Sequence, residues 1–199
     1  MDLSGVVRHT PSTISGASRE AAVLAPVLVR DGEEHLLFTK RADHLGEHPG
    51  QMSFPGGGRE PSDASLEATA LREAREEISL RPTEVDIVGR LDDIETTTDY
   101  AVRPFVASVP DRTYTPDERE VAEIVVLPVA ELVARDNYES ECREHPKYGE
   151  VRVHFFTVDG YTVWGATGRM LVQLLELTTD WTMPAEVDRY VDPDADVPR

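Results

Sequence analysis

Short apolar runs separated by turn-forming residues dominate the chain, and this pattern is typical of β-strands. Residues 21–30 (AAVLAPVLVR) and 35–39 (HLLFT) flank an Asp-Gly dipeptide, which predicts a hairpin. Because Pro104 cannot donate a backbone hydrogen bond, we expect its strand to lie at a sheet edge or to be bulged. The other predicted strands are 85–91, 101–109, 121–127, 151–158 and 161–164.

Two longer segments show the period of amphipathic helices. The first is predicted to begin at Asp63 or Ser65, which are both good N-cap residues, and to end at Arg81 because Pro82 follows. The second covers 165–177. The apolar positions expected to face the core are Leu71, Ala74 and Ile78 in the first helix and Met170, Leu171, Leu174 and Leu175 in the second.

The remaining segments complete the predicted domain. A short helix is predicted at 128–135, and the charged segment 136–150 is predicted to form turns. Together the elements predict one α+β domain over residues 20–180, with a mixed sheet packed between helices. Residues 1–19 and 181–199 are predicted to form an N-terminal arm and an acidic C-terminal tail.

The composition of the chain suggests where in the cell the protein is located. No apolar run approaches the length that spans a bilayer, and the N-terminus lacks the basic and apolar segments of a signal peptide. Cys142 is the only cysteine, so an internal disulfide is excluded, which suits a reducing cytosol. We therefore expect a cytoplasmic protein that does not contact membranes, either a monomer or a homodimer.

The high negative charge indicates the salt conditions in which the protein works and the partners that it can bind. The formal net charge is −18, and lysine occurs only at Lys40 and Lys147. This composition indicates a halophilic protein, because salt screens the repulsion among dense surface carboxylates. An ordinary acidic cytosolic protein is the alternative. Duplex nucleic acid is not expected as a partner, since its phosphates must be neutralised by basic patches.

Residues 54–80 (FPGGGREPSDASLEATALREAREEISL) carry the candidate chemistry. A glycine-rich turn, where the backbone adopts unusual dihedrals or approaches a ligand, leads into a helix on which Glu73, Glu76 and Glu77 share one face. Three like charges repel, so the pattern predicts a hard cation between them, Mg²⁺ or Mn²⁺. Such an ion commonly hydrolyses phosphate esters and anhydrides. The alternative is a solvated acidic helix, and the preceding turn favours catalysis.

These residues resemble the motif of the Nudix hydrolases, G-x5-E-x7-R-E-U-x-E-E-x-G-U, in which U is bulky and aliphatic. Residues 72–77 (REAREE) match its R-E-U-x-E-E core, although Ala74 is small for U. The resemblance covers about residues 20–178. It implies an α/β/α sandwich with a mixed sheet between helices, a divalent metal, and hydrolysis of a diphosphate in a small nucleotide substrate.

Two further positions depart from the motif. Ser79 stands where the motif has its terminal glycine. The motif spacing would place the first glutamate at Ala64, but the acid nearest to that position is Asp63. We interpret Asp63 as a helix N-cap rather than as a metal ligand.

A second segment resembles the stretch that marks coenzyme A pyrophosphatases, roughly L-L-T-x-R-S-x3-R-x3-G-x3-F-P-G-G. It is 36–57 (LLFTKRADHLGEHPGQMSFPGG), with Phe38 as an extra residue, Ala42 in place of serine and Gly46 in place of the second arginine. The later run 159–171 (DGYTVWGATGRML) also resembles this subgroup.

The family resemblance implies roles for particular residues. Glu73 and Glu77 are expected to bind the metal directly, and Glu76 directly or through water. Arg72 lies one helical turn before Glu76 and can pair with it, which would fix its rotamer. These four residues form the predicted catalytic set. The predicted substrate-binding residues are Arg41, Phe54, Gly56 and Gly57.

Other candidates are left open. Arg41 is either a phosphate ligand or part of a surface salt bridge. The general base could be Glu73 or an acid of the loop before residue 121, Glu118 or Glu120. The remaining candidates are histidines: His44 and His48 could approach the substrate, whereas His154 is expected to be packed in the fold.

Three functions are consistent with the sequence. The first is metal-dependent hydrolysis of coenzyme A or acyl-CoA to 3′,5′-ADP and 4′-phosphopantetheine. The second is hydrolysis of ADP-ribose or another nucleoside diphosphate derivative. The third belongs to another class, a non-catalytic Nudix-fold binding or regulatory module, and the intact glutamate trio argues against it.

Overall fold

The computed structural model describes residues 1–45, 49–96, 98–145 and 148–192. Its α-helices are α1 (Ser4–Arg8), α2 (Leu66–Ile78), α3 (Val129–Leu132) and α4 (Gly165–Thr178). Its strands are β1 (Arg19–Arg30), β2 (Glu33–Arg41), β3 (Met52–Ser53), β4 (Gly56–Gly58), β5 (Asp86–Arg90), β6 (Ile94–Glu95), β7 (Tyr100–Ser108), β8 (Val121–Pro128), β9 (Tyr138–His145), β10 (Gly149–Val158), β11 (Tyr161–Val163) and β12 (Arg189–Tyr190). The predicted hairpin is confirmed, because Asp31 and Gly32 both have positive φ between β1 and β2.

A mixed sheet forms the centre of the molecule, with strand order β3-β2-β1-β7-β5. Strands β1 and β7 are parallel, and the other pairs in this sheet are antiparallel. Strand β1 changes partner along one edge: residues 27–30 pair with β2, and residues 21–23 pair with β4. This change brings the glycine strand β4 into the sheet. A second sheet has the order β11-β10-β9-β12.

Helices cover both faces of the central sheet, which confirms the α+β class and the predicted α/β/α arrangement. Helix α2 packs one face through its buried positions Leu66, Ala70, Ala74 and Ile78. Leu71, which was predicted to face the core, is only half-buried. Helix α4 belongs to the core on the other face, and its four predicted positions, Met170, Leu171, Leu174 and Leu175, are all buried.

Strand β9 was not predicted, since residues 136–150 were assigned to turns. Its central carboxylate, Glu141, is 2% exposed and pairs with Arg143 and with Arg189, whose Nε lies 3.0 Å from Glu141 Oε2. The buried charge is therefore neutralised within the sheet. Arg189 belongs to strand β12, which pairs in parallel with β9. This strand lies in the region that was assigned to the acidic tail.

The prediction that the Pro104 strand lies at an edge was wrong. Strand β7 lies between β1 and β5, and the bulge falls on β5. Pro104 accepts a hydrogen bond from the Leu91 amide (3.0 Å), at the point where pairing with β5 ends at Phe105 and pairing with β6 resumes at Val102. The proline nitrogen therefore faces a break between partner strands, where no donor is needed.

The two ends of α2 differ in how well they were predicted. Ser65 is the N-cap, and its Oγ accepts from the Ala68 amide at 3.1 Å. The helix ends at Ile78 rather than at Arg81, because Ser79 adopts a left-handed conformation with φ 56°. In the described residues, no helix is long and apolar enough to cross a membrane.

Substitution of Ser79 should show the strain of this left-handed cap. Ser79→Gly should be more stable than Ser79→Ala by about 1 kcal/mol, because a Cβ is unfavourable at positive φ. Both variants lose the hydrogen bond from Ser79 Oγ to the Thr115 carbonyl (3.1 Å), so their difference isolates the backbone effect. Urea unfolding measures both free energies. Equal stabilities would contradict this account of the helix end.

Candidate active site

The candidate site lies where α2 packs against the glycine strand β4. A Cβ atom on Gly57 would lie 2.4 Å from Glu73 Oε1, and one on Gly56 would lie 2.4 Å from the Ala22 carbonyl oxygen. Neither glycine has positive φ. The glycines therefore allow close approach to β1 and α2, and the prediction of unusual dihedrals was wrong, whereas approach to a ligand stays a prediction.

Glu77 is the most enclosed of the three glutamates. The Gly56 amide donates to Glu77 Oε2 at 3.2 Å. The pKa of Glu77 is raised to about 8, with burial as the largest cause; the charges of Glu73 and Glu120 add to the shift, and the Gly56 amide and Arg41 oppose it. The protein thus holds a carboxylate in surroundings that disfavour its charge.

Glu73 shares this environment. Burial raises its pKa, Arg72 opposes the shift, and the charges of Glu76 and Glu120 add to it. The charges of Glu73 and Glu120 therefore act on Glu77, and the charge of Glu120 also acts on Glu73. Glu120 was one of two loop acids proposed as the general base; the other, Glu118, is exposed and is not among the causes of either pKa shift.

Arg72 holds the outer part of the site. Its Nη1 lies 3.0 Å from Glu76 Oε2 and 3.0 Å from Glu73 Oε1, so the predicted pairing with Glu76 is present. Its Nη2 also donates to the Gly58 carbonyl at 3.0 Å. One guanidinium group thus joins α2 to β4.

Asp63 is the anchor of Arg72, a role that sequence analysis did not predict. Arg72 donates to both Asp63 oxygens, at 3.0 Å and 3.1 Å, and Oδ2 also accepts from Thr69 Oγ1 and from the Glu60 amide. These contacts hold the pKa of Asp63 well below its usual range, with the Arg72 hydrogen bond as the largest cause. The N-cap interpretation was wrong, since Ser65 is the cap.

The same contacts bear on metal binding by Asp63. Four donors occupy its carboxylate, and a carboxylate offers about four lone-pair directions. Three of these hydrogen bonds fall on Oδ2 and one on Oδ1, and Arg72 already balances the charge of the buried carboxylate, so we expect no metal ion at Asp63. Sequence could not identify this anchor, because nine residues separate Asp63 from Arg72 and the two do not share a helical face.

The predicted substrate residues lie in different surroundings. Phe54 is 1% exposed and stacks on Phe38 with ring centroids 4.9 Å apart, so it packs the core and is not exposed for substrate contact. Arg41 is half-buried at the end of β2, where its charge acts on Glu77. Its amide donates to the Gln51 carbonyl at 3.0 Å.

The histidines behave as loop and core residues. His44 is exposed, while His48, like Gly46, lies outside the described residues. His154 is buried and lies 2.9 Å from the Tyr138 hydroxyl through Nδ1, so its predicted packing role is confirmed. Burial lowers the pKa of His154 to about 4, which keeps it neutral at ordinary pH.

The arrangement has the chemistry of a cation site, although no group of three or more acids, histidines or cysteines among the described residues is placed to hold a metal ion as it stands. Glu73 and Glu77 supply oxygen donors whose negative charge is only partly neutralised. Glu76 is 57% exposed on its side chain, so it can reorient without disturbing the core. Oxygen donors and excess negative charge fit a hard divalent ion.

Comparisons with known proteins agree with this geometry. The NUDIX domain family model matches residues 19–146. An uncharacterized Nudix hydrolase NudL of Enterobacter sp. (strain 638) is 41% identical over 162 residues, which cover 78% of this chain and 81% of the relative. A NudL of Cronobacter sakazakii, also described as uncharacterized, is 40% identical over 170 residues, which cover 85% and 88%.

A solved structure supports the fold alone. The MutT/nudix family protein of Enterococcus faecalis aligns with a TM-score of 0.50 and 12% identity, over 85% of this chain and 61% of that one. The family model covers well over half of the sequence, and it includes β4, α2 and the glutamates described above. The chain therefore belongs to the Nudix hydrolase family and is an enzyme of the pyrophosphohydrolase class.

Proposed function

We propose that this enzyme uses Mg²⁺ or Mn²⁺ to hydrolyse coenzyme A or acyl-CoA to 3′,5′-ADP and 4′-phosphopantetheine. The observation that carries the metal-dependent chemistry is the half-buried carboxylate of Glu77, which accepts a hydrogen bond from the Gly56 amide of β4 and whose pKa the charges of Glu73 and Glu120 raise. Repulsion among these groups costs stability unless a cation offsets it, so the fold retains a feature that favours metal binding.

Glu73 and Glu77 would hold the cation directly, and Glu76 would join them directly or through water. The bound cation would neutralise phosphate oxygens and make a water more acidic. Glu120 is the preferred general base, because it is exposed and still close enough to raise the pKa of both buried glutamates. Water then attacks one phosphorus, the bridging P–O bond breaks, and the leaving phosphate takes the charge.

Arg41 is the preferred phosphate ligand. Its positive charge lies on the side of Glu77, and a guanidinium group matches the geometry of phosphate oxygens. Arg72 acts differently, because Asp63 and Gly58 hold it in place. It would fix Glu76 until the metal enters and would not contact the substrate.

The choice of coenzyme A rests on the resemblance of residues 36–57 to the coenzyme A pyrophosphatase stretch. The matching positions include Arg41 and the glycines of β4, which border the glutamates. ADP-ribose is the alternative substrate of the same chemical class, and it would need the same glutamates and the same Arg41.

Glu77→Gln should separate catalysis from folding. The amide keeps the shape of the side chain but cannot supply a negative charge, so kcat should fall by on the order of 100-fold or more. In metal-free buffer at pH 7 the same variant should melt at a higher temperature than the parent, since the parent must protonate Glu77 on folding at a pH where the unfolded carboxylate is charged. Coupled phosphate release and thermal unfolding measure the two effects.

Glu67→Gln is the matched control for this substitution. Glu67 is an exposed carboxylate in the first turn of the same helix, and the pKa of neither buried glutamate responds to it. The Glu67→Gln variant should therefore keep full activity. Unchanged Mg²⁺-dependent hydrolysis by Glu77→Gln would refute the catalytic role, and a parent enzyme without any turnover would favour the binding-module alternative.

The substrate is tested by parallel turnover assays on coenzyme A and ADP-ribose at high and low KCl. We expect kcat/KM to be at least tenfold higher on coenzyme A, a discrimination of about 1.4 kcal/mol. Running both salt conditions separates substrate preference from the salt requirement expected of a halophilic protein. A higher kcat/KM on ADP-ribose at both salt concentrations would reject the coenzyme A assignment.

A further inference from the structure

A cavity of about 560 Å³ lies outside the carboxylate site, between the second sheet, the loop after β6 and the start of α4. Apolar side chains, including Val153 and Trp164, form part of its wall, and Arg143, Arg152 and Arg169 form another part. Its size is that of a typical small-molecule site. The mechanism proposed above uses none of these residues.

Two of the arginines are held rigidly by the protein. Arg152 Nη2 donates to Ser140 Oγ and to the Glu186 carbonyl, both at 2.8 Å. Arg143 pairs with the buried Glu141. Their guanidinium groups are therefore already ordered, so a ligand that meets them loses little additional side-chain entropy.

Arg169 is different. It lies in the second turn of α4, is exposed, and forms no hydrogen bond or ion pair with any other described residue. The chain carries 38 acidic residues against 20 basic ones, so protein carboxylates that could pair with it are plentiful. An arginine that lines a cavity without such a partner is available to an anionic ligand.

The start of α4 adds to the attraction for an anion. Its N-cap, Trp164, makes no side-chain cap hydrogen bond, and Gly165 and Ala166 line the cavity. Backbone amides at the start of a helix attract anions. Two carboxylates, Glu95 and Glu144, also line the cavity; both are exposed, and both can accept hydrogen bonds from hydroxyl or amino groups of a ligand.

Aromatic rings provide the other half of a nucleotide site. Trp164 stacks on Phe155 with ring centroids 6.2 Å apart, which fixes its orientation at the cavity wall. The rings of His145 and Tyr148, which also line the cavity, have centroids 4.8 Å apart and planes inclined by 30°. Fixed aromatic rings next to arginines suit a base joined to a phosphorylated sugar.

The cavity is connected to the carboxylate site through Gln51. Gln51 lines the cavity, and its carbonyl accepts from the amide of Arg41, whose charge acts on Glu77. A ligand whose diphosphate lies beside Arg41 can therefore extend along this wall towards Arg169. The alternative direction, past β4, meets the paired residues Arg59 and Glu20.

We propose that this cavity binds the nucleoside half of the substrate and that Arg169 binds the phosphomonoester on its ribose, the 3′-phosphate in coenzyme A. The inference rests on the proposed function and deepens it, because it names residues that would distinguish a 3′-phosphorylated substrate from ADP-ribose. Arg143 and Arg152 supply fixed positive charge, and Trp164 supplies a face for the base.

Binding without turnover tests this assignment directly. The probe is adenosine 3′,5′-bisphosphate, titrated by calorimetry into the full chain in EDTA, with 5′-AMP as the comparison ligand. Arg169→Gln should weaken binding of the bisphosphate about tenfold and binding of 5′-AMP less than twofold. With coenzyme A as substrate, the variant should raise KM and leave kcat unchanged, and with 3′-dephospho-coenzyme A it should change neither.

Arg8→Gln is the matched control. Arg8 is an exposed arginine on α1, which packs against the far end of α4 near Leu177. The Arg8→Gln substitution removes the same charge as Arg169→Gln. It should leave the affinities for the bisphosphate and for 5′-AMP within twofold of the parent. Equal bisphosphate affinity in the parent and in Arg169→Gln would overturn the assignment, as would equal weakening of both ligands.

The turnover assay tests the proposed function, and the binding assay tests the cavity assignment, so either hypothesis can be rejected without the other. If the parent hydrolyses coenzyme A and Arg169→Gln has parental KM and affinity, the proposed function stands and the cavity assignment is rejected. If no diphosphate is hydrolysed but Arg169→Gln selectively loses the bisphosphate, the cavity assignment is supported and the proposed function is rejected.

Discussion

The site depends on how closely the backbone of β4 approaches helix α2. A Cβ on Gly57 would lie 2.4 Å from Glu73 Oε1 and would displace that carboxylate, and one on Gly56 would lie 2.4 Å from the Ala22 carbonyl oxygen of the backbone. Strand β4 can occupy this position only because β1 exchanges β2 for β4 as its partner at residues 21–23. The sheet thus delivers a backbone without side chains to the acidic face of the helix, where the Gly56 amide can reach Glu77.

This proximity places several carboxylates close together, and their mutual repulsion destabilises the fold. Arg72 reduces this repulsion at Glu73 and Glu76. The buried Asp63 holds Arg72 in place through two hydrogen bonds. Removing one member of such a buried pair typically costs about 3–5 kcal/mol, so Asp63 stabilises the fold as well as the site. At Glu77, the charge of Arg41 opposes the effect of burial but does not outweigh it. The burial of Glu77 is unfavourable for folding, and such a cost is commonly retained where a functional ligand offsets it.

Helices α2, α3 and α4 and most strands could be predicted from sequence, because their signals are local, whereas α1 lies in the segment assigned to the arm. The Ser65 cap, the apolar positions of α4 and the turn between β1 and β2 each depend on residues a few positions apart. The failures have distant causes. Strand β9 buries Glu141, which is possible only because Arg189, 48 residues later, returns to pair with it. The edge assignment of Pro104 failed because the break between β5 and β6 cannot be recognised from the proline itself.

The glutamates of α2 and the cavity at α4 differ in how far they can be predicted from sequence. The spacing of Glu73, Glu76 and Glu77 suggests chemistry directly, since three positions on one helix face must lie together. Nothing in the sequence brings Arg152 of β10, Arg169 of α4 and Gln51 of the loop before β3 to one cavity. Their convergence follows from how the second sheet packs on the first. Sequence can therefore indicate the reaction from one helix and suggest a substrate by resemblance, whereas the residues that would contact the substrate come together only in the folded chain.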